Sequence, residues 1–382
     1  MKLGFLADCH LGNPKTLGGD MVAGVNRRGL LVIDTFERAV RELHDSDHLI
    51  LLGDVFDSDV ATPTIIAHAQ TAMRNRNPSI SHAIVGNHDA TSPEDKHNAC
   101  APLAPICSVY ETAVVRSFLV DNEKVEVLFV PFQPGPASEW LPSVVSKMKT
   151  SPLASSRVLC VHLGVEDSDS LVHIQGADDS IHHQQLFEIM RDNNIDATFA
   201  GNWHEHKTWT DDEHLIVQVG TTCPTGFNNL GFEDYGYAVS YDTVEHEFTV
   251  LEIGGPRFVK LDDLAPRAHP AVNPRGNGLV EWLDEQGCPD DDTPIYLHVD
   301  TRPSRAPAWS EALLAYKGKG IIQDGKRRID RKLLNEVAED TAEEVAQART
   351  PDEAVAVYVE EMTVPKGVKR AEVKAIVTKA LI

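Results

Sequence analysis

The sequence predicts an α/β domain followed by a smaller appended module. Three observations carry that prediction: short β-type runs alternate with amphipathic helical stretches up to about residue 250, the apolar runs are strand-sized and end in polar clusters, and prolines crowd the chain after residue 257. Taken in order, Leu3–Ala7 reads as a strand. Leu30, Ile33, Phe36, Ala39, Val40 and Leu43 recur at three-to-four spacing, so Leu30–Leu43 reads as a helix. Leu49–Leu52 is a second strand, Ile65–Met73 a helix and Ile80–Val85 a third strand; Val125–Val130, Val158–Val161, Ala197–Ala200 and Ile216–Val219 continue the series. Tyr237–Tyr241 and Glu247–Ile253 follow with no helix between them, as an antiparallel edge or closing hairpin would.

Gly254-Gly255-Pro256 breaks the pattern, which sets the main domain at residues 1–255. Pro266, Pro270, Pro274, Pro289 and Pro294 mark a small α+β module over 256–316, with Ile295–Val299 as its strand. Residues 317–332 are locally basic, with Lys317, Lys319, Lys326, Arg327, Arg328, Arg331 and Lys332 against Asp324 and Asp330, and read as a linker. Residues 333–382 are helix-prone, divided at Thr350-Pro351, where proline suits a first helical turn.

Composition narrows the class. A chain of 382 residues, 42% hydrophobic and 24% charged, fits a soluble globular protein with more than one folding unit. Its longest apolar runs fall far short of the roughly 20 residues that span a bilayer. The apolar start, Met1–Ala7, meets Asp8 too soon to form a secretory core. Cys9, Cys100, Cys107, Cys160, Cys223 and Cys288 show neither a C-x-x-C pair nor a disulfide framework, so they read as reduced, buried thiols. The expected location is therefore the cytoplasm, that of the host if the source is viral. The net charge of -23 runs against direct binding of nucleic acid, which needs Lys and Arg to neutralise phosphates. A metal site made of carboxylates, or a partner carrying the basic surface, reduces that objection.

Five short motifs each fall at the end of a predicted strand: Asp8-Cys9-His10, Gly53-Asp54-Val55-Phe56-Asp57, Gly86-Asn87-His88-Asp89, His162, and Gly201-Asn202-Trp203-His204-Glu205-His206. An α/β sheet places its active site there. Strand alternation sets Asp8 and His10 on one face, and can do the same for His204 and His206. Asp-x-His alone is common, and a lone strand histidine is more often structural. Gly-Asn-His-Asp is specific, because amide, imidazole and carboxylate in succession have no packing rationale. Together the donors suit cations of the Mn²⁺, Fe²⁺ or Zn²⁺ type, since no thiolate is required.

In this order the motifs resemble the calcineurin-like metallophosphoesterase pattern D-x-H, G-D-x-x-D, G-N-H-[DE], H and G-H-x-H, over roughly residues 1–250. The resemblance implies an αββα sandwich of mixed sheets and a phosphodiester hydrolase with two divalent metal ions, Mn²⁺ foremost. It implies one ion on Asp8, His10, Asp54 and His206, and the other on Asp54, Asn87, His162 and His204, with Asp54 as the bridge. His88 resembles the family's catalytic histidine, and Asp57 the acid that orients it. Two departures stand out: cellular nucleases of this group commonly carry histidine at the position of Asp57, and two residues, Asn202 and Trp203, separate Gly201 from His204.

Ser58-Asp59 after Asp57, and Asp89 after His88, differ from the Arg-Gly and Glu of the protein phosphatases in this superfamily. Phe5–Gly12, Phe36–Val40 and Pro256-Arg257-Phe258 look like SbcD-type nucleases and phage recombination-endonuclease subunits. That resemblance implies a DNA exonuclease and endonuclease, with residues 256–316 as a capping module and the C-terminal helices docking on an SMC-like, SbcC-like ATPase subunit. It leaves a homodimer open and implies no membrane partner. The rival readings are a small cyclic-nucleotide phosphodiesterase and a non-catalytic subunit that binds DNA ends.

Overall fold

The computed structural model describes residues 1–15, 18–75, 80–90, 98–120, 123–167, 179–226, 236–263, 295–301 and 322–329. The chain divides into two compact units, Met1–Val259 with Thr293–Tyr296, and Lys260–Asp292 with Leu297–Ile382.

Two six-stranded mixed sheets form the first unit. One is ordered Phe248–Glu252, Tyr237–Asp242, Lys2–Leu6, His48–Leu51, Ile80–Ile84, Ser108–Tyr110, parallel from Lys2–Leu6 onward and antiparallel on the other side. The second is ordered Lys207–Thr210, Leu215–Gln218, Ala197–Gly201, Ser156–His162, Glu123–Val130, Val114–Val120, parallel in the middle and antiparallel at both edges. Alternation divides each strand between two cores. Ile50 and Leu52 join Leu3 and Phe5 against Val127, Val158 and Phe199 between the sheets, whereas Leu49 and Leu51 face outward. The Phe5 and Phe199 rings stack at 3.8 Å across that interface.

Helices cover both outer faces. α1 (Arg27–Glu42) starts where the Asn26 side chain accepts from Gly29 N at 2.7 Å, and its stripe of Val32, Ile33, Phe36 and Val40 packs on the first sheet. α2 (Pro63–Arg74) follows a Thr62 cap, with proline in its first turn. α3 (Ala137–Lys147) and α4 (His183–Asn193) cover the second sheet through Leu141, Val145, Leu186 and Met190. The layering is thus the expected αββα sandwich.

Some elements differ from the expectation. Val114–Val120, a strand the sequence did not single out, pairs along its length with Glu123–Val130. α3 carries an internal Pro142, and that breaker hides its helical pattern. Described residues of the second unit belong to a three-stranded sheet ordered Arg257–Asp263, Ile295–Thr301, Ile322–Ile329. The basic segment expected as a linker over 317–332 therefore contains a strand. It lies at the edge of that sheet. The C-terminal helices over 333–382 lie outside the described residues. No helix among those described is long and apolar enough to cross a membrane. Cys9, Cys100, Cys107, Cys160 and Cys223 are buried and free, as expected; Cys288 lies outside the described residues.

Candidate metal centre

The five motifs meet where the two sheets present adjacent strand ends. Asp8 and His10 follow the Lys2–Leu6 strand, Asp54 follows His48–Leu51, and Asn87 and His88 follow Ile80–Ile84. His162 ends one strand of the second sheet, and His204 follows another. Neighbouring loops are laced together by backbone bonds: His10 N donates to Asp54 O at 2.9 Å, and Leu11 N to Val55 O at 2.9 Å.

Asp8 and His10 share a direction for a reason other than strand alternation. The strand stops at Leu6, and both residues adopt left-handed backbone, φ 48° and 44°. Asp54 (φ 48°) and Asn202 (φ 90°) do the same, so four of the seven non-glycine residues with positive φ among those described lie at this rim. Each such residue costs about 1–3 kcal/mol unless its surroundings hold it, and that strain gathers where function demands it.

Asp54 sits between two donor groups. Its Oδ2 lies 3.8 Å from His10 Nε2, and its Oδ1 lies 3.5 Å from His162 Nε2 and accepts from His88 N at 2.8 Å. On one side, His10 Nε2 approaches His204 Nε2 to 3.1 Å, and Asp8 completes a group with them. On the other, His162 Nε2 lies 2.8 Å from Asn87 Oδ1, with Asp8 and Asp54 near it. The Nδ1 atoms face outward to fixed partners: His162 to Leu52 O at 2.7 Å, His204 to Thr225 Oγ1 at 3.0 Å and His10 to Asp57 Oδ1 at 3.8 Å. That arrangement turns each Nε2 inward, as metal-ligating histidines require.

Electrostatics fit a cation. Burial pushes the Asp8 carboxyl up. Burial also opposes ionisation of Asp54, yet His162 and His10 outweigh it and hold its carboxyl below the usual range. Burial, then the neighbouring His204, holds His10 well below its ordinary value, and burial lowers His204 to about 4. Two neutral imidazole nitrogens 3.1 Å apart and two buried carboxylates form a donor set that a divalent cation satisfies.

Two residues stand elsewhere than the motifs imply. His206 joins none of the three donor groups among the described residues. Its Nδ1 bonds to Val219 O at 3.1 Å, and its ring lies beside Tyr237. His204 instead stands with Asp8 and His10, the place expected for His206. The strand ends at Gly201 and the chain turns at Asn202, whose N donates to both Asp8 oxygens at 3.0 Å, so i and i+2 no longer share a face. Gly201-Asn202-Trp203-His204 thereby takes the spacing of G-H-x-H, with Asn202 at the first histidine position. Second, His88 Nδ1 donates to the backbone O of Asp57 at 3.1 Å, while the Asp57 carboxylate faces His10. Burial raises that carboxyl despite the pull of His88.

Sequence reading gave Asp89 no structural role. Fully buried, it accepts from Phe56 N at 2.9 Å, Gly86 N at 3.0 Å and Val55 N at 3.3 Å, pinning the Asp54 loop to the Asn87 loop. Gly86 is needed there too, because a Cβ would come within 2.2 Å of Asp54 Oδ1. Cys9, between two donors, points away, with Sγ 3.4 Å from Thr222 Oγ1.

Buried carboxylates and imidazoles gathered on the rims of two mixed sheets define a metal-dependent phosphoesterase. The chain belongs to the calcineurin-like phosphoesterase family, whose model matches residues 1–221. No curated protein matches the sequence. Among solved structures it is similar to an archaeal phosphodiesterase, with 13% identity, TM-score 0.34, and coverage of 66% of this chain and 99% of that one. It is also similar to a Thermus thermophilus protein designated TT1561, with 11% identity, TM-score 0.38 and coverage of 66% and 98%. A putative 5′-nucleotidase from Staphylococcus aureus shares 17% identity, with TM-score 0.40 and coverage of 66% and 53%.

Proposed function

We propose that this chain is a DNA exonuclease and endonuclease, the nuclease subunit of an SbcCD-like complex in DNA-end processing or phage recombination, working with two Mn²⁺ ions. The observation that carries the two-ion reading is Asp54, which turns one carboxylate oxygen toward His10 and the other toward His162. Asp8, His10, Asp54 and His204 would hold one cation, and Asp54, Asn87 and His162 the other. Such a pair supplies positive charge to the phosphate oxygens on both sides of an in-line displacement.

The remaining steps belong to the chain itself. His88 is exposed beside the donors, and its Nδ1 is held by the Asp57 carbonyl, so Nε2 is the nitrogen that delivers a proton to the leaving oxygen. Asp57 acts on His10 through its carboxylate and on His88 through its backbone. The appended module after residue 256 would guide DNA, and the segment after residue 333 would dock an SMC-like ATPase in the cytoplasm of the cell or host.

Digestion of an end-labelled linear duplex, with Mn²⁺ and beside a His88→Ala control, tests the reading. Shortening that needs both Mn²⁺ and His88 is the expected result. Intact DNA in the presence of the ATPase partner, with bis(p-nitrophenyl) phosphate still hydrolysed, would overturn the DNA assignment and keep the phosphodiesterase.

A further inference from the structure

We propose that the cavity beside His10 and Asp57 is a subsite for a nucleotide unit adjoining the scissile phosphodiester, with Lys15 as the cation that reads its phosphate. The inference rests on the phosphodiesterase reading and names a part of its substrate.

The cavity has a volume of ≈ 500 Å³, inside the range of roughly 300–1,000 Å³ typical of small-molecule sites. One wall is the loop that leaves His10, including Asn13, Pro14 and Lys15, and the other is the segment after the Asp54 turn, including Asp57, Val60 and Ala61. The walls belong to the two loops that carry donors, and Asp57 Oδ1 lies 3.8 Å from His10 Nδ1. Asp57, which lines the cavity, is thus its link to the metal centre.

The chemistry of the walls is divided. Pro14, Val60 and Ala61 give apolar surface on both walls, and Val60 is 76% exposed, open to a base lying over it. Lys15 is exposed beside Pro14 on the first wall, and the Arg28 guanidinium lies deeper, engaged with the Thr225 carbonyl and over the Phe258 ring. In a chain of net charge -23, phosphates are repelled by most of the surface, so cations beside the reacting centre decide where an anion settles. An apolar face and a lysine within one cavity match a base and its phosphate.

Thymidine 3′,5′-bisphosphate is the probe. Calorimetry with the full chain in chelator should show binding, weakened tenfold or more by Lys15→Gln, an exposed change that leaves the fold intact, and by Ala61→Trp, which fills the space. With Mn²⁺ restored, Ala61→Trp should raise KM for the dinucleotide pTpT at least tenfold more than KM for bis(p-nitrophenyl) phosphate, with kcat within twofold. No binding by the unaltered protein, or equal KM changes for both substrates, overturns the subsite. Binding with the expected Lys15 dependence, but no hydrolysis of either substrate under any divalent cation, upholds the subsite and sinks the phosphodiesterase reading instead.

Discussion

Replacing Asp89 with alanine takes the acceptor from three buried backbone amides at once, those of Val55, Phe56 and Gly86. Each orphaned donor costs about 1–3 kcal/mol, so the three cost roughly 3–9 kcal/mol. Removing the charge returns part of this. Burial, then the Asp54 carboxylate, pushes the Asp89 carboxyl from an ordinary 3.8 up to about 6, against the pull of the Phe56 and Gly86 amides. At about 1.36 kcal/mol per pH unit, ionisation there costs roughly 3 kcal/mol, and that cost is fully present at pH 8. The balance is a destabilisation of about 3 kcal/mol for Asp89→Ala. Asp89→Asn keeps an oxygen for Val55 and Gly86, loses one amide and also sheds the charge, so it should stay within about 1 kcal/mol of the parent. Urea unfolding of metal-free protein at pH 8 measures both, and cation titration of the folded variants reports whether the two loops still align their donors. If Asn were as damaging as Ala, the charge rather than the hydrogen bonds would be holding the loops, and the reasoning would fail.

His204→Ala should lower divalent-cation affinity by at least roughly tenfold, the lower end of what even supporting residues of metal sites contribute, while His206→Ala leaves it within about threefold; equal losses in a binding titration would restore His206 as a ligand. Burial opposes protonation of His162, but Asp54 outweighs it and raises the ring to about 9, and burial lifts the Asp8 carboxyl to about 8, so loading cations at pH 7 should expel close to two protons, one from each. Calorimetry in buffers of different ionisation enthalpy counts those protons, and a count of zero refutes the pairing. With the pKa raised, the stability this pair gives the metal-free protein is complete below pH 6.5 and lost as pH rises through about 9, so the unfolding midpoint in chelator should fall across that window. Glu126→Ala strands the buried Arg157 guanidinium, whose Nε lies 3.3 Å from Glu126 Oε2, and should destabilise by about 3–5 kcal/mol in denaturant melts; a loss under 1 kcal/mol would mean that the Asn193, Asn194 and Ser151 carbonyls suffice for Arg157.

Much of this centre was legible because its donors are tied to strand ends, and strand ends are visible as apolar runs meeting Gly or Asp. Asp8, His10, Asp54, Asn87 and His162 come together as the motif order implies. His204 and His206 point apart because alternation holds only while the strand continues, and Asn202 turns the backbone into positive φ one residue after the strand ends. The bond from His88 to Asp57 runs to the carbonyl rather than the carboxylate for a related reason: motif spacing fixes which residue is near, not whether its side chain or its carbonyl makes the bond. Asp89 was in plain view in Gly-Asn-His-Asp, but its function is to satisfy amides from a segment more than 30 positions away, which no local pattern encodes. Edge strands such as Val114–Val120 escaped because half-exposed strands show little apolar contrast.

The donors are divided between the two sheets. Asp8, His10, Asp54 and Asn87 hang from one, His162 and His204 from the other, and between them the sandwich is closed by apolar packing such as Phe5 on Phe199 and by rim bonds such as His162 Nδ1 to Leu52 O. A cation gripped across that seam is a cross-link present in the folded chain and absent once the sheets part. It works as a rivet at the rim, so its removal should quicken unfolding far more than it slows folding, with the earliest amide exchange at the strand ends nearest the seam.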